Sequence, residues 1–239
     1  MKRKIRVPFF EIGVKNYLYG DEVLKLAVAA DRAAEKYDID VMFIAPYADI
    51  RRVSEKTKNL IIIAPYMDIL PPGRGMADVL PESLKAAGAE GVCINHCERP
   101  MTLEAIRKTI QRANDLEMLS FACADTISEA KAIAQFHPDI INPEPTELIG
   151  QADSEHDLSY VEGSIRAVKE VFRDILVEQA AGISSPGQVY ELIRIGAEGV
   201  GAASGICCAE DPAGMAASMI ESVRKALDDM REEAGKECV

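Results

Sequence analysis

Along the chain, short apolar runs alternate with longer stretches in which apolar residues recur every three or four positions. The runs are Ile5–Ile12, Val41–Ala45, Leu60–Ala64, Gly91–Asn95, Leu119–Cys123, Ile140–Pro143, Ile175–Ala181 and Gly199–Ala203. Their length and their content of Val, Ile, Leu and Phe predict strands. The stretches between them predict helices over Gly20–Tyr37, Leu80–Ala87, Thr102–Leu116, Ser128–Phe136, Val161–Phe172, Pro186–Ile195 and Pro212–Arg231. In the first of these, Val23, Leu24, Leu26, Ala27, Ala30 and Ala34 fall at helical spacing.

Regular alternation of strand and helix implies parallel strands joined by helical crossovers. Leu60-Ile61-Ile62-Ile63-Ala64 is apolar at every position, as in strands covered on both faces. Eight such strands in 239 residues predict an α/β fold, an eight-stranded parallel (β/α)8 barrel of the TIM type, rather than an open doubly wound sheet. The pentapeptide Gly88-Ala89-Glu90-Gly91-Val92 recurs as Gly196-Ala197-Glu198-Gly199-Val200 and carries the fourth strand onto the eighth. It is either a half-barrel repeat or a pair of helix-end glycines leading into strands. No linker or composition shift interrupts the chain, so residues 1–239 are expected to form a single TIM-barrel domain.

Composition narrows the partners. A formal charge of −12 disfavours nucleic acid and anionic membranes, and no apolar run approaches the roughly 18 residues of a membrane span. The amino-terminal apolar stretch is short and broken by Glu11, unlike a secretory signal. The six cysteines form no CxxC pair, and the three histidines do not cluster. Free thiols in a cytoplasmic protein are expected, with no metal site. The first strand lacks a GxGxxG turn, and no cofactor is expected.

In such barrels, chemistry sits at the carboxyl ends of the strands. Glu144 follows the sixth strand between two prolines, which stiffen the backbone on both sides. It reads as a general base or as an ordinary loop carboxylate; Glu147 competes for the role. His96 precedes Cys97-Glu98-Arg99-Pro100 and a helix, whose positive end would favour a neutral imidazole. Lys15, after the first strand, is a cation available to a developing oxyanion. Glu98 and Arg99 are either an ion pair supporting the site or helix-start charges. Gly182, Ser204 and Gly205, in the last two loops, suit a phosphate bound by backbone N–H groups, with Ser204–Cys208 as a short helix. Lysine, neutral histidine, glutamate and a phosphate cradle together suit proton abstraction beside a carbonyl.

At these residues the chain resembles the triosephosphate isomerase family, especially its short archaeal-type members. Asn95-His96-Cys97-Glu98-Arg99 looks like the family's N-H-S-E-R segment, and Glu144-Pro145-Thr146-Glu147-Leu148-Ile149-Gly150 like its E-P-x-E-L-I-G lid. Gly182-Ile183-Ser184 and Ala203-Ser204-Gly205 match its late phosphate loops, and Cys123 falls where the family keeps a cysteine. The resemblance implies aldose–ketose isomerisation of a small phosphorylated sugar through an enediolate. Glu144 would be the base, His96 the neutral electrophile and Lys15 the electrostatic stabiliser, with Asn95 and Glu98 in support. Pro145–Gly150 would be a lid excluding water, a device for which this family is a standard example. A homodimer or homotetramer is implied as well. Three departures stand out: Gly13 replaces the asparagine of the family's N-x-K motif, Gly73-Arg74-Gly75-Met76 lacks a usual threonine, and Gln151-Ala152 replaces Thr-Gly. The room at Gly13 keeps a four-carbon tetrulose phosphate open as substrate. A catalytically idle, phosphate-ligand-binding barrel is a third reading.

Overall fold

In the computed structural model, which describes residues 2–145 and 158–237, strand residues are buried on both faces and each strand hands on to a helix. The elements are β1 (Phe9–Gly13), α1 (Asp21–Tyr37), β2 (Val41–Ile44), α2 (Ile50–Lys56), β3 (Leu60–Ala64), α3 (Pro81–Ala86), β4 (Gly91–Ile94) and α4 (Leu103–Asp115). They continue as β5 (Leu119–Ala124), α5 (Ile127–Ala134), β6 (Ile140–Pro143), α6 (Leu158–Val171), β7 (Leu176–Gln179), α7 (Pro186–Arg194), β8 (Gly199–Ala202), α8 (Ser204–Cys207) and α9 (Pro212–Glu237). Every strand pairs in parallel with its successor, and β8 pairs with β1, closing the (β/α)8 TIM barrel that the alternation predicts.

Alternate strand residues enter different apolar layers, as a period of two requires. Phe9, Met42, Ile61, Ile63, Phe121 and Ile140 pack with one another inside the barrel. Their neighbours Phe10, Phe43, Ile62 and Ile141 pack outward with helix residues such as Leu26 and Ile106. Inside, bulk on one strand is matched by its absence on the next. The Phe9 ring occupies the place of a side chain on Gly199, where a Cβ would lie 2.2 Å from it.

Element boundaries differ from the sequence reading at identifiable places. The first strand starts at Phe9, not Ile5, because Pro8 has no N–H for a ladder and Arg6 is tied to the Asp40 carboxylate instead. The seventh spans Leu176–Gln179 rather than Ile175–Ala181. Helix α2 was not anticipated. It buries only Ile50 and Val53, too few apolar positions to declare a period. Helix starts were easier, since Thr102 accepts from the Ala105 N–H and Ser185 forms a capping box with Gln188. The repeated pentapeptides do lead into β4 and β8, and Gly88 and Gly196 both have positive φ, as helix-end glycines do.

Candidate active site

Strands β1, β4 and β6 end beside one another's loops, and Lys15, His96 and Glu144 line a single cavity of about 340 Å³ at the carboxyl end of the barrel. Non-glycine residues take left-handed backbone at three of the strand ends: Lys15 (φ 48), Asn95 (φ 63) and Ala181 (φ 65). Such conformations cost on the order of 1–3 kcal/mol each and cluster where side-chain placement matters.

Asn95 offsets its strain with hydrogen bonds. Its amide donates to the Cys123 carbonyl and to Glu129, both at 3.1 Å, and its oxygen accepts from the Met101 N–H at 2.8 Å. The loop that carries His96 is thereby fixed to β5 and α5. The Glu98 N–H donates to His96 Nδ1 at 3.2 Å, which leaves Nε2 as the protonated nitrogen of the neutral ring. Nε2 lies 3.9 Å from Glu144 Oε2. Burial, reinforced by Lys15, holds the imidazole pKa below its ordinary value, against the opposing pull of Glu98. The expected neutral state therefore has a cause other than the one anticipated. Helix α4 starts only at Leu103, and the contact to Nδ1 comes from the turn before it.

Glu98 and Arg99 do not pair with each other. Glu98 reaches Lys15 Nζ at 3.3 Å, and the Arg99 guanidinium lies 3.9 Å from the centre of the Tyr66 ring. Burial pulls the Lys15 ammonium pKa down, but Glu98 and Glu144 outweigh it and hold the group above its ordinary value. Glu144 is 9% exposed, with its N–H bonded to the Ala124 carbonyl. Burial pushes its carboxyl above the ordinary range, while Lys15, the Ala181 N–H and the Asn142 amide pull it back. Asn142 Nδ2 lies 3.3 Å from Glu144 Oε2. The result is a buried carboxyl that a nearby cation keeps ionisable.

Gly182, Ile183, Ala203 and Ser204 also line the cavity. Gly205 does not. Its Cα is pressed against the β7–α7 loop, where a Cβ would lie 2.3 Å from the Ile183 carbonyl oxygen. Its missing side chain therefore lets the two loops approach closely. Of the expected lid, only Glu144 and Pro145 are described; Thr146, Glu147, Leu148, Ile149 and Gly150, with Gln151 and Ala152, lie outside the described residues.

A model of the triosephosphate isomerase family matches residues 10–219, which hold every cavity residue named above. The triosephosphate isomerase of Methanothermus fervidus is 35% identical over 208 residues, covering 85% of this chain and 93% of that protein. That of Methanocaldococcus jannaschii is 34% identical over 198 residues, covering 82% and 90%. That of Saccharolobus solfataricus is 30% identical over 227 residues, covering 93% and 99%. The chain belongs to the triosephosphate isomerase family. Triosephosphate isomerases are intramolecular aldose–ketose isomerases, and the trio of Lys15, His96 and Glu144 is the part of the cavity suited to such a proton shift.

One cavity residue of this triosephosphate isomerase family member escaped the sequence reading. Glu11 lies inside β1, two residues from Phe9 and two from Gly13, and so faces the barrel interior. A carboxylate on the inward face of an apolar strand is the signal that was available. Glu178 in β7 carries the same signal and is fully buried. Among the described residues, no helix is long and apolar enough to cross a membrane.

Proposed function

We propose that the protein interconverts dihydroxyacetone phosphate and glyceraldehyde 3-phosphate. The carrying observation is that Lys15, His96 and Glu144, from three strands, share one cavity in complementary charge states. In this reading Glu144 removes a proton from the hydroxyl-bearing carbon of dihydroxyacetone phosphate. The C–H electron pair becomes a carbon–carbon double bond, and the carbonyl oxygen takes on negative charge. His96 donates its Nε2–H to that oxygen, and the Lys15 ammonium stabilises the enediolate. Glu144 then returns the proton to the neighbouring carbon, while the hydroxyl on the first carbon gives its proton to His96, restoring the neutral ring, and becomes the aldehyde carbonyl. Backbone N–H groups at Gly182, Ile183 and Ser204 would hold the phosphate.

The reading takes the chain as a single domain, and a homodimer or homotetramer belongs to it as well; Met76, in the β3–α3 loop, is fully exposed and available for contact. The space that suggested a four-carbon substrate is not vacant, since Glu11 Oε1 lies 3.1 Å from where a Cβ on Gly13 would sit. The relatives named above are all called triosephosphate isomerases. An idle barrel would have no use for a buried carboxylate beside a neutral imidazole. Turnover of both triose phosphates by the purified protein, with kcat in Glu144→Ala reduced about 10²-fold or more, is the expected result. Absence of wild-type turnover on either triose phosphate would overturn the proposal.

A further inference from the structure

Beneath the reacting groups lies a second pair of carboxyls that the proton shift leaves unused. Glu11 on β1 and Glu178 on β7 both approach Gly201 of β8. A Cβ on Gly201 would lie 2.4 Å from Glu11 Oε2 and 2.5 Å from Glu178 Oε1. Both oxygens thus crowd the place of one missing side chain. Among the described residues, Glu11 Oε1 and both oxygens of Glu178 have no hydrogen-bond partner. Glu178 is fully enclosed, whereas Glu11 keeps 5% exposure and lines the cavity floor.

Two enclosed carboxyls that approach the same glycine are disfavoured as anions by burial and by mutual repulsion. The charged groups acting on Glu11 are Glu144 and Lys15. Burial and then Glu144 push the Glu11 pKa up to about 8, and Lys15 acts the other way. Burial, then Glu11, Glu144 and Cys93, raise Glu178 well above the ordinary carboxylate range. In its acid form Glu11 is a hydrogen-bond donor, which a carboxylate is not.

We propose that Glu11 is a further substrate-positioning residue, whose carboxyl donates a hydrogen bond from the cavity floor to an oxygen on the reacting carbons, oriented from below by Glu178. Position 13 explains why the group comes from residue 11. With glycine at 13 that position offers no side-chain donor, and the Glu11 carboxyl fills the volume one would need. A side chain at 13 would crowd the Glu11 carboxyl, whose Oε1 would lie 3.1 Å from its Cβ, so the carboxyl would have to shift to admit an amide there. The inference rests on the isomerase reading, because the donor needs a carbonyl substrate above it.

The test is kcat/KM for dihydroxyacetone phosphate in wild-type protein, Glu11→Gln and Glu11→Ala, on both sides of pH 8. Melting temperatures would be recorded, with calorimetric binding of the unreactive analogue glycerol 3-phosphate. Below that pH, Glu11→Gln should stay near wild type because a carboxamide still donates, and Glu11→Ala should lose about tenfold or more. Above about 8, wild-type activity should fall as Glu11 ionises while Glu11→Gln holds its activity. A folded Glu11→Ala with wild-type kcat/KM would overturn the assignment, as would an identical alkaline decline in wild type and Glu11→Gln. If Glu11→Ala does not fold, the two pH profiles decide. Wild-type protein that neither isomerises triose phosphates nor binds glycerol 3-phosphate overturns the isomerase reading and this role together. Wild-type turnover with unmoved variants overturns the role of Glu11 alone.

Discussion

Lys15 pulls the pKa values of His96 and Glu144 the same way, downward: its ammonium favours the neutral imidazole and the ionised carboxylate. In the proposed reaction Glu144 must be ionised, so activity should fall as pH drops through its folded pKa, which lies above the ordinary carboxylate value. Removing the cation removes the pull that keeps this pKa down. Lys15→Met should therefore move the acid limb of the residual kcat/KM profile to higher pH, and an unmoved limb would count against the coupling. At this scale the sequence singled out Lys15, His96 and Glu144, which line one cavity, but not their partners. Glu98 pairing with Lys15, and Arg99 lying against Tyr66, depend on loops from different strands meeting above the barrel.

The late loops show how one element positions another. Helix α8 and the β7–α7 loop are in backbone contact at Gly205, where an added Cβ would lie 2.3 Å from the Ile183 oxygen and 2.7 Å from Ser184 Cα. Backbone atoms cannot rotate aside as a side chain can, so Gly205→Ala must separate the two loops. If they hold the phosphate, KM for the triose phosphates should rise about tenfold, equivalent to about 1.4 kcal/mol, with a smaller effect on kcat. Steady-state kinetics would detect this. The sequence places a phosphate contact at Gly205, and the structure adds why the position is glycine: the neighbouring loop's backbone fills the place of a side chain. Small residues at strand ends look alike in sequence whether they face a ligand or a neighbouring loop.

For the whole molecule, the buried carboxyls set a direction of stability with pH. Glu11 keeps its proton to about 8 in the folded state, against an ordinary value of 4.5, and Glu178 is displaced the same way. A raised folded pKa contributes stability that is fully present below 4.5 and lost as pH rises through the folded value. On the acid side Asp38 and Glu104 oppose this, since Arg6 and Lys108 hold their pKa values below the ordinary ones. Stability should be greatest at mildly acidic pH and decline toward pH 8 and beyond. Glu178→Gln removes one of the two enclosed acids, so its melting temperature should match wild type at acid pH and exceed it by several degrees above pH 8. A difference independent of pH would refute that account.

The alternation of strand and helix, and the capped starts of α4 and α7, were legible because they depend on residues a few positions apart. The placement of Lys15, His96 and Glu144 after the first, fourth and sixth strands was legible for the same reason. Closure of the sheet supplied the rest. Glu11 and Glu178 lie on strands far apart in the chain and approach the same glycine only because β8 fits between β7 and β1. Each glutamate stands out in the sequence only as a carboxylate on an apolar strand, and its neighbours in sequence are not its neighbours in space. Burial, which governs the charge of every group in the cavity, is a property of the closed barrel rather than of any segment within it.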